Sequence, residues 1–430
     1  MMHKFKIMNY KSLKKFDMKK DPHRPLPIIK HVFWLAPLVT NSLKTKIEKV
    51  GFKDFKEPSL IIMQHQSEKD FGSIQKAMFP YVPVYVSATE EFIRGETFMK
   101  MVGTIPKIKW TRDIRLLLRM RRVIKKFKCS VAIFPEAKWS ACGITEQFSE
   151  ELGKTAKFLD CRVIVMQSFG NYLNNPFWQY NKFKNKKLVS KSIFHLVCTK
   201  EESQTLSSDE IQSRINKYME YDEYKYQLDN HIEIKSDNHL QDVEGIIYKC
   251  PDCNSFGTWT SKGNTMKCKN CGLTYRMDNY GELHLEKGKT KFRTLSDLYR
   301  WEKEETKKEI YNDSYYYEDN CDLWQFINGH KGFIKIGQSH FIHDKTGLTL
   351  DGTLDNGEKI YIHKNPIDQE SIHVAPMWNN KGPIINFSTN DDIFFLLPRN
   401  KKRGIWKIMH AVEAQYVKAK IEINDDRECT

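Results

Sequence analysis

Apolar and polar positions alternate along this chain in three styles. From about residue 58, short unbroken apolar runs are separated by helix-length amphipathic stretches. The runs Leu60–Met63, Val82–Val86, Val131–Phe134 and Val163–Gln167 read as buried strands. Between and after them, Ser67–Met78, Thr111–Phe127 and Glu146–Leu159 carry helical spacing, and Ser208–Met219 adds a further helix. Strand–helix alternation of this kind predicts an α/β domain with a mixed sheet flanked by helices. The style changes near 245, where a compact cysteine-bearing stretch begins, and again after 289. There Phe333–Ile336, His340–His343, Leu348–Leu354 and Lys359–His363 read as short strands, with Asp355-Asn356-Gly357 as a hairpin turn. A helix over Gly404–Lys420 closes the chain.

These shifts divide the sequence into four parts. Residues 1–50 form a basic leader around the apolar segment Val32–Val39, read as a membrane-associating helix. Residues 51–243 form the α/β domain, 244–288 a small ribbon, and 289–430 a β-rich domain closed by a helix, compatible with a barrel of pleckstrin-homology type. With 430 residues, 40% of them hydrophobic, the chain is long enough for several cores. No apolar run is long enough to span a bilayer, and no cleavage site follows the leader.

Charge narrows the class of partner. Lys and Arg number 69 against 54 Asp and Glu, a formal net charge of +15, which favours anionic surfaces or substrates. The excess is concentrated between Lys107 and Lys128. There Arg115, Arg119, Arg122 and Lys126 fall at helical spacing, a stripe suited to anionic lipid or simply to water.

Two segments carry candidate chemistry. Just after the first strand comes Gln64-His65-Gln66-Ser67-Glu68-Lys69-Asp70. Histidine is the side chain whose ordinary pKa suits proton abstraction near neutrality, and a carboxylate on its other nitrogen fixes its tautomer. Five residues apart on one helix, the two would point about 140° away from each other. They can meet only if His65 lies on the strand-to-helix loop and Asp70 in the first turn. Ser67 as N-cap supports that placement, and equally allows Asp70 to be a capping carboxylate and nothing more. The second segment, Phe134-Pro135-Glu136-Ala137-Lys138-Trp139-Ser140, is a strand-to-loop turn with a charged pair.

Taken with Gly103 through Asp113 between them and the apolar strand at Val163, these blocks resemble, in the same order, those of the 1-acylglycerol-3-phosphate acyltransferase (PlsC-like glycerolipid acyltransferase) family. The resemblance covers about 58–180. It implies His65 as general base oriented by Asp70, and Glu136 as a residue that positions the acceptor. Gly103 and Arg112, with Lys107, stand where the family holds the acceptor's phosphate. The chain departs from the family at three places. Ala137 replaces glycine, Trp139 stands where arginine is usual with Lys138 one place earlier, and the strand proline is missing at Val163–Met166. The resemblance further implies acyl-CoA or an acyl carrier protein conjugate as co-substrate, a lysophosphatidate-like acceptor, and a cytoplasmic protein peripheral on the inner face of the membrane.

Cys250-Pro251-Asp252-Cys253 and Cys268-Lys269-Asn270-Cys271 give two C-x2-C knuckles fourteen residues apart. That pattern predicts a four-thiolate structural zinc site. The other six cysteines are scattered, which suits a reducing compartment. His340, His343 and His363 lie in neighbouring predicted strands, as surface histidines or a second metal site. Two other readings stay open: a nucleic-acid-binding protein using ribbon and basic stripe, which leaves the ordered blocks unexplained, and a lipid-binding scaffold without catalysis.

Overall fold

The computed structural model describes residues 14–18, 21–111, 113–174, 176–179, 188–400 and 404–428. It contains three sheets. The first has seven strands: β1 (Lys46–Val50), β2 (Ser59–Met63), β3 (Val84–Ala88), β4 (Ile105–Lys107), β5 (Val131–Ile133), β6 (Arg162–Phe169) and β7 (Lys191–Cys198). Their order across the sheet is β1-β7-β6-β2-β5-β3-β4. Every pairing is parallel except β6 with β7. The central strand β2 is buried at all five residues, the mark of a sheet covered on both faces.

Alternation along the strands sorts the core into two layers. Leu60, Ile62, Val131, Val163 and Val165 face the helices Ile114–Lys125, Leu152–Leu159 and Ser208–Met219. Ile61, Met63, Ala132, Ile164 and Met166 face the helix Lys69–Met78 and the N-terminal residues Ile29 and Phe33. Residues 46–50, read from sequence as part of the leader, form the edge strand β1 instead. Its polar Lys-Ile-Glu-Lys-Val composition conceals a strand that pairs on one side only.

The second sheet is a four-stranded antiparallel meander of β8 (Trp259–Lys262), β9 (Thr265–Cys268), β10 (Thr274–Met277) and β11 (Leu283–Lys287). The third is antiparallel, in the order β15-β14-β13-β12-β18-β17-β16. Its strands are β12 (Tyr317–Asn328), β13 (Gly332–Asp344), β14 (Gly347–Leu354), β15 (Lys359–Lys364), β16 (His373–Ala375), β17 (Ile384–Ser388) and β18 (Ile393–Pro398). The two short strands expected at 333–336 and 340–343 are one continuous strand, β13. Gly337 sits within it, and the close approach of Thr353 O leaves no room there for a Cβ. The last helix, Trp406–Glu428, is longer at its C-terminal end than the sequence pattern suggests.

The boundaries near 243 and 289 do not separate cores. Ala141, Cys142, Tyr172 and Trp178 of the α/β region pack in one cluster with Tyr248, Trp259 and Tyr275 of the ribbon. Tyr299, Phe341, Trp406 and Met409 from beyond 289 complete it. At its centre lies a buried ion network. Lys138 pairs with Glu413 of the terminal helix, which also takes Lys303 Nζ at 3.0 Å and Ser371 Oγ at 2.7 Å. Burial pushes the Glu413 carboxyl up, but Lys138 and Lys303 together hold it well below the usual carboxylate range.

Removing one member of such a pair strands a buried charge, at a cost of about 3–5 kcal/mol. Lys138→Met should therefore lower the denaturant midpoint markedly. The triple variant Lys138→Met/Lys303→Met/Glu413→Leu, which leaves neither Glu413 nor either lysine unpaired, should recover most of the loss. A single variant as stable as the parent would show that the pair does not hold the halves together.

Candidate functional site

β2 and β5 are adjacent and parallel, with Ile62 opposite Ile133, so the segments beyond their C-terminal ends emerge side by side. In sheets of this kind ligands bind at that edge. His65 stacks on Phe134, centroids 4.2 Å apart and planes at 29°, and Trp139 meets it edge-on at 5.7 Å. Ser140 N–H donates to His65 O at 2.8 Å. The two sequence segments are thus one structural unit. It opens on a cleft of about 2470 Å³ between the α/β domain and the C-terminal sheet and helix, lined by His65, Lys107, Lys109, Pro135, Lys138 and His373 among others.

Asp70 lies in the first turn of the helix Lys69–Met78, as the argument from helix geometry requires. Its Oδ2 accepts from Gln66 N at 2.6 Å and Ser67 N at 2.8 Å, and its Oδ1 from Asn171 Nδ2 at 2.7 Å. The carboxylate thus closes the loop that carries His65, which is the capping role. His65 Nδ1 is buried and has no hydrogen-bond partner, so the two side chains are neighbours in the loop without a bond between them. Burial pushes Asp70 up to about 6 against the hydrogen bonds it accepts. Burial, then the charges of Lys109 and Arg94, depress His65 to about 3. The ring is therefore neutral at physiological pH.

The remaining candidates divide. Lys107 lines the cleft but donates to Thr111 O and Thr111 Oγ1. Lys109 is held by Glu90 at 3.2 Å. Lys138 lines the cleft yet is committed to Glu413, and so already has a counter-ion. Gly103 makes a tight turn, φ +79°, where a Cβ would strike His23 O. Arg112 lies outside the described residues. Glu136 is fully buried, and neither of its carboxylate oxygens has a partner. Burial first, then Glu146, raises its pKa well above the carboxylate range, which favours the neutral acid. Ala137, where the resembled family has glycine, is held at φ +52°. For a residue with a Cβ that conformation costs roughly 1–2 kcal/mol. The loop is strained at the point where it turns between Glu136 and Lys138.

Half of the basic stripe is engaged within the protein, while Arg115 and Lys126 are exposed. Arg119 is buried and donates to Met18 O at 2.6 Å, and Arg122 pairs with Asp21. The three strand histidines do not converge. His343 is buried between Tyr315 Oη at 3.1 Å and Gln415 Oε1 at 3.0 Å, and His363 meets Thr349 Oγ1 at 2.9 Å. Sequence reasoning missed Asn171 and His373. Asn171 follows β6 and was visible only as part of a loop. His373 is an isolated histidine with no motif around it.

The four cysteines come together. Cys250 Sγ and Cys271 Sγ are 3.6 Å apart, and Cys253 Sγ and Cys268 Sγ 3.8 Å. All four sulfurs lie within 4.8 Å of one another. A tetrahedron of zinc–sulfur bonds of about 2.3 Å has edges of about 3.8 Å, so the donor set fits zinc. The knuckles match as well, since Asn254 and Gly272 each follow the second cysteine with positive φ.

No protein-family model matches the chain, and no curated relative matches it. One solved structure, the crystal structure of the 1-acyl-sn-glycerophosphate (LPA) acyltransferase PlsC from Thermotoga maritima, is similar at 14% sequence identity and a TM-score of 0.34. The likeness covers 44% of this chain and 76% of that one. At that level it decides nothing about activity.

Four thiolates leave a bound zinc no open position, so it would be structural. Purified protein should hold about one zinc per chain, and Cys268→Ser should lose it together with the packing of Trp259 and Tyr275. Metal analysis and the near-ultraviolet spectrum check both. A fully folded, metal-free parent would refute the assignment.

Proposed function

We propose that this chain transfers a fatty acyl group from a thioester, carried by coenzyme A or an acyl carrier protein, to the free hydroxyl of a lysophosphatidate-like acceptor. The observation that carries the reading is the junction of the two segments. A neutral histidine beyond the end of a central parallel strand opens on a large cleft, with a buried aspartate in the following helical turn. His65 takes the hydroxyl proton as the oxygen attacks the thioester carbon, then returns it to the departing thiolate. Asp70 orients His65 through the loop it closes. The direct bond is one that forms with substrate in place, since such bonds are often unmade in unliganded sites. Glu136, Lys107 and the Gly103 turn shape the acceptor side.

The acceptor is delivered from a membrane surface. Leu38 and Val39, on the short helix Ala36–Val39, and Trp34 and Leu35, which join it to the helix Ile29–Phe33 that carries Lys30, are exposed, with Trp34 63% and Val39 83% accessible. An exposed cluster of this kind marks an interaction site. Among the described residues no helix is long and apolar enough to cross a membrane; the attachment we propose is peripheral. A second reading, a lipid-binding scaffold without catalysis, is favoured by one fact: Asp70 is fully engaged by Gln66, Ser67 and Asn171.

Turnover of labelled lysophosphatidate with both donor types decides between them. His65→Ala should cost about 10²–10⁴-fold in kcat/KM while leaving fold and zinc intact. If ionised Asp70 is required, kcat/KM should fall tenfold per pH unit below about 6, and Asp70→Asn should abolish that acid limb. No product with any donor from the wild type favours the scaffold.

The surface reading has its own check. Trp34→Asp/Leu38→Asp should reduce co-sedimentation with anionic vesicles, and added salt should weaken what remains. Binding unchanged by the double variant would place the contact elsewhere.

A further inference from the structure

β16 is the edge strand of the C-terminal sheet and pairs with β17 in the register His373 opposite Asn386. Directly opposed residues of an antiparallel pair stand on the same face. Asn386 Nδ2 approaches Glu90 Oε1 at 3.4 Å, and Glu90 holds Lys109 at 3.2 Å. That face of the sheet therefore lies against the α/β domain where Lys109 enters the cleft, and His373 lies with it. His65, Lys109, Trp110 and His373 all line the same cleft, the first three from one wall and the last from the other.

Three ring nitrogens there share a defect. His65 Nδ1, Trp110 Nε1 and His373 Nδ1 are all buried without a hydrogen-bond partner. Each unmet group costs free energy on the order of 1–3 kcal/mol unless something satisfies it. Trp110 is also held at φ +59°, an outlier for so bulky a residue, of the kind that gathers at ligand sites. An indole nitrogen only donates, an ammonium only donates, and a neutral imidazole carries one donor. An oxygen-rich acceptor group meets all three when each imidazole carries its proton on Nδ1.

We propose that His373 is a substrate-positioning residue which, with Lys109, binds the phosphomonoester of the acceptor across the cleft from His65. Naming the acceptor rests on the acyl-transfer reading, whereas the anion site itself does not. Burial and the charges of Lys109 and Lys138 keep the His373 ring well below the usual imidazole range. It is neutral before ligand arrives and adds no repulsion between the lysines. The β-rich domain is then one wall of the site, and a chain lacking it has half an anion pocket.

The test uses the full-length, zinc-loaded protein with His373→Ala and His373→Gln. Binding of short-chain lysophosphatidate, glycerol 3-phosphate and inorganic phosphate is measured by calorimetry, and KM and kcat are measured in parallel. His373→Ala should weaken lysophosphatidate and glycerol 3-phosphate roughly tenfold or more and raise KM by a similar factor, with kcat within about threefold. Glutamine, which keeps a donor, should restore most of the loss. Tight binding of both phosphate esters with weak inorganic phosphate identifies the lipid headgroup as the source. Inorganic phosphate binding as well as the esters, and as dependent on His373, keeps the anion site but assigns it to the free ion. Unchanged dissociation constants and KM in His373→Ala overturn the proposal, as does a loss that glutamine leaves unrepaired and that follows a lowered melting temperature. Wild-type protein that binds the esters through His373 but makes no product defeats the acyl-transfer reading alone.

Discussion

The ammonium of Lys138 is buried beside a carboxylate that arrives from the far end of the chain. Everything around the cleft depends on that arrangement. Lys138 sits on the loop that also carries Phe134, Glu136 and Ser140, so fixing it against Glu413 fixes the surface on which the His65 ring stacks. A buried pair of this type adds little net stability over an apolar substitute, because desolvating both ions offsets most of their attraction. What it provides is register: Glu413 gathers Lys138, Lys303 and Ser371 at one point of the terminal helix, which ties the loop to that position. Tyr299, donating to Glu146 at 3.1 Å, and Trp406, donating to Tyr299 at 2.9 Å, extend the same constraint.

This arrangement changes how the site's electrostatics read. Lys138, one place before the position where the resembled family has arginine, is already paired with Glu413, while Lys109 and the imidazoles of His65 and His373 line the same cleft. Lys109 and Arg94, each with its own carboxylate partner, are the cations that act on His65. Beneath the cleft, Asp70, Glu136, Glu146 and Glu223 are carboxyl groups sealed from water, and burial raises Asp70, Glu136 and Glu223 above their ordinary range. Burial favours the protonated form of Glu136 and Glu223, whereas Glu146 stands 4.0 Å from Lys138, and the floor's rigidity draws on the backbone hydrogen bonds that Asp70 and Glu223 accept.

How far sequence could see followed the range of the interactions. The strands β2, β5 and β6 and the helices beside them were legible because their burial writes a local period. So were the four cysteines, whose spacing is their geometry, and the placement of Asp70 in a first helical turn. Strand β1, by contrast, is polar and defined by β7, whose residues lie about 145 positions away. Lys138 read as one half of a charged pair with Glu136, because its partner Glu413 lies 275 positions away. Arg119 and Arg122 looked like a lipid-facing stripe because their partners lie at 18 and 21. The ribbon and the β-rich segment read as separate domains, since composition changes at their borders, yet their aromatic residues meet in one core. His373 had no pattern to betray it. Its place follows only from the pairing of β16 with β17 and the seating of that hairpin on Glu90.

The order of synthesis gives the Lys138–Glu413 pair a temporal side. The two residues are 275 positions apart, so a ribosome adding about 5–20 residues per second needs roughly 15–55 s between them. In the later part of that interval, once β7 (Lys191–Cys198) has been added, the α/β sheet is complete, while its site loop still lacks Glu413 and the apolar surface around Trp178 lacks its cover. The nascent chain therefore passes through a long stage that resembles a finished domain in its sheet but not in its site. Quality control that senses exposed core has its widest opportunity there, and the cleft assembles only as the final helix leaves the exit tunnel.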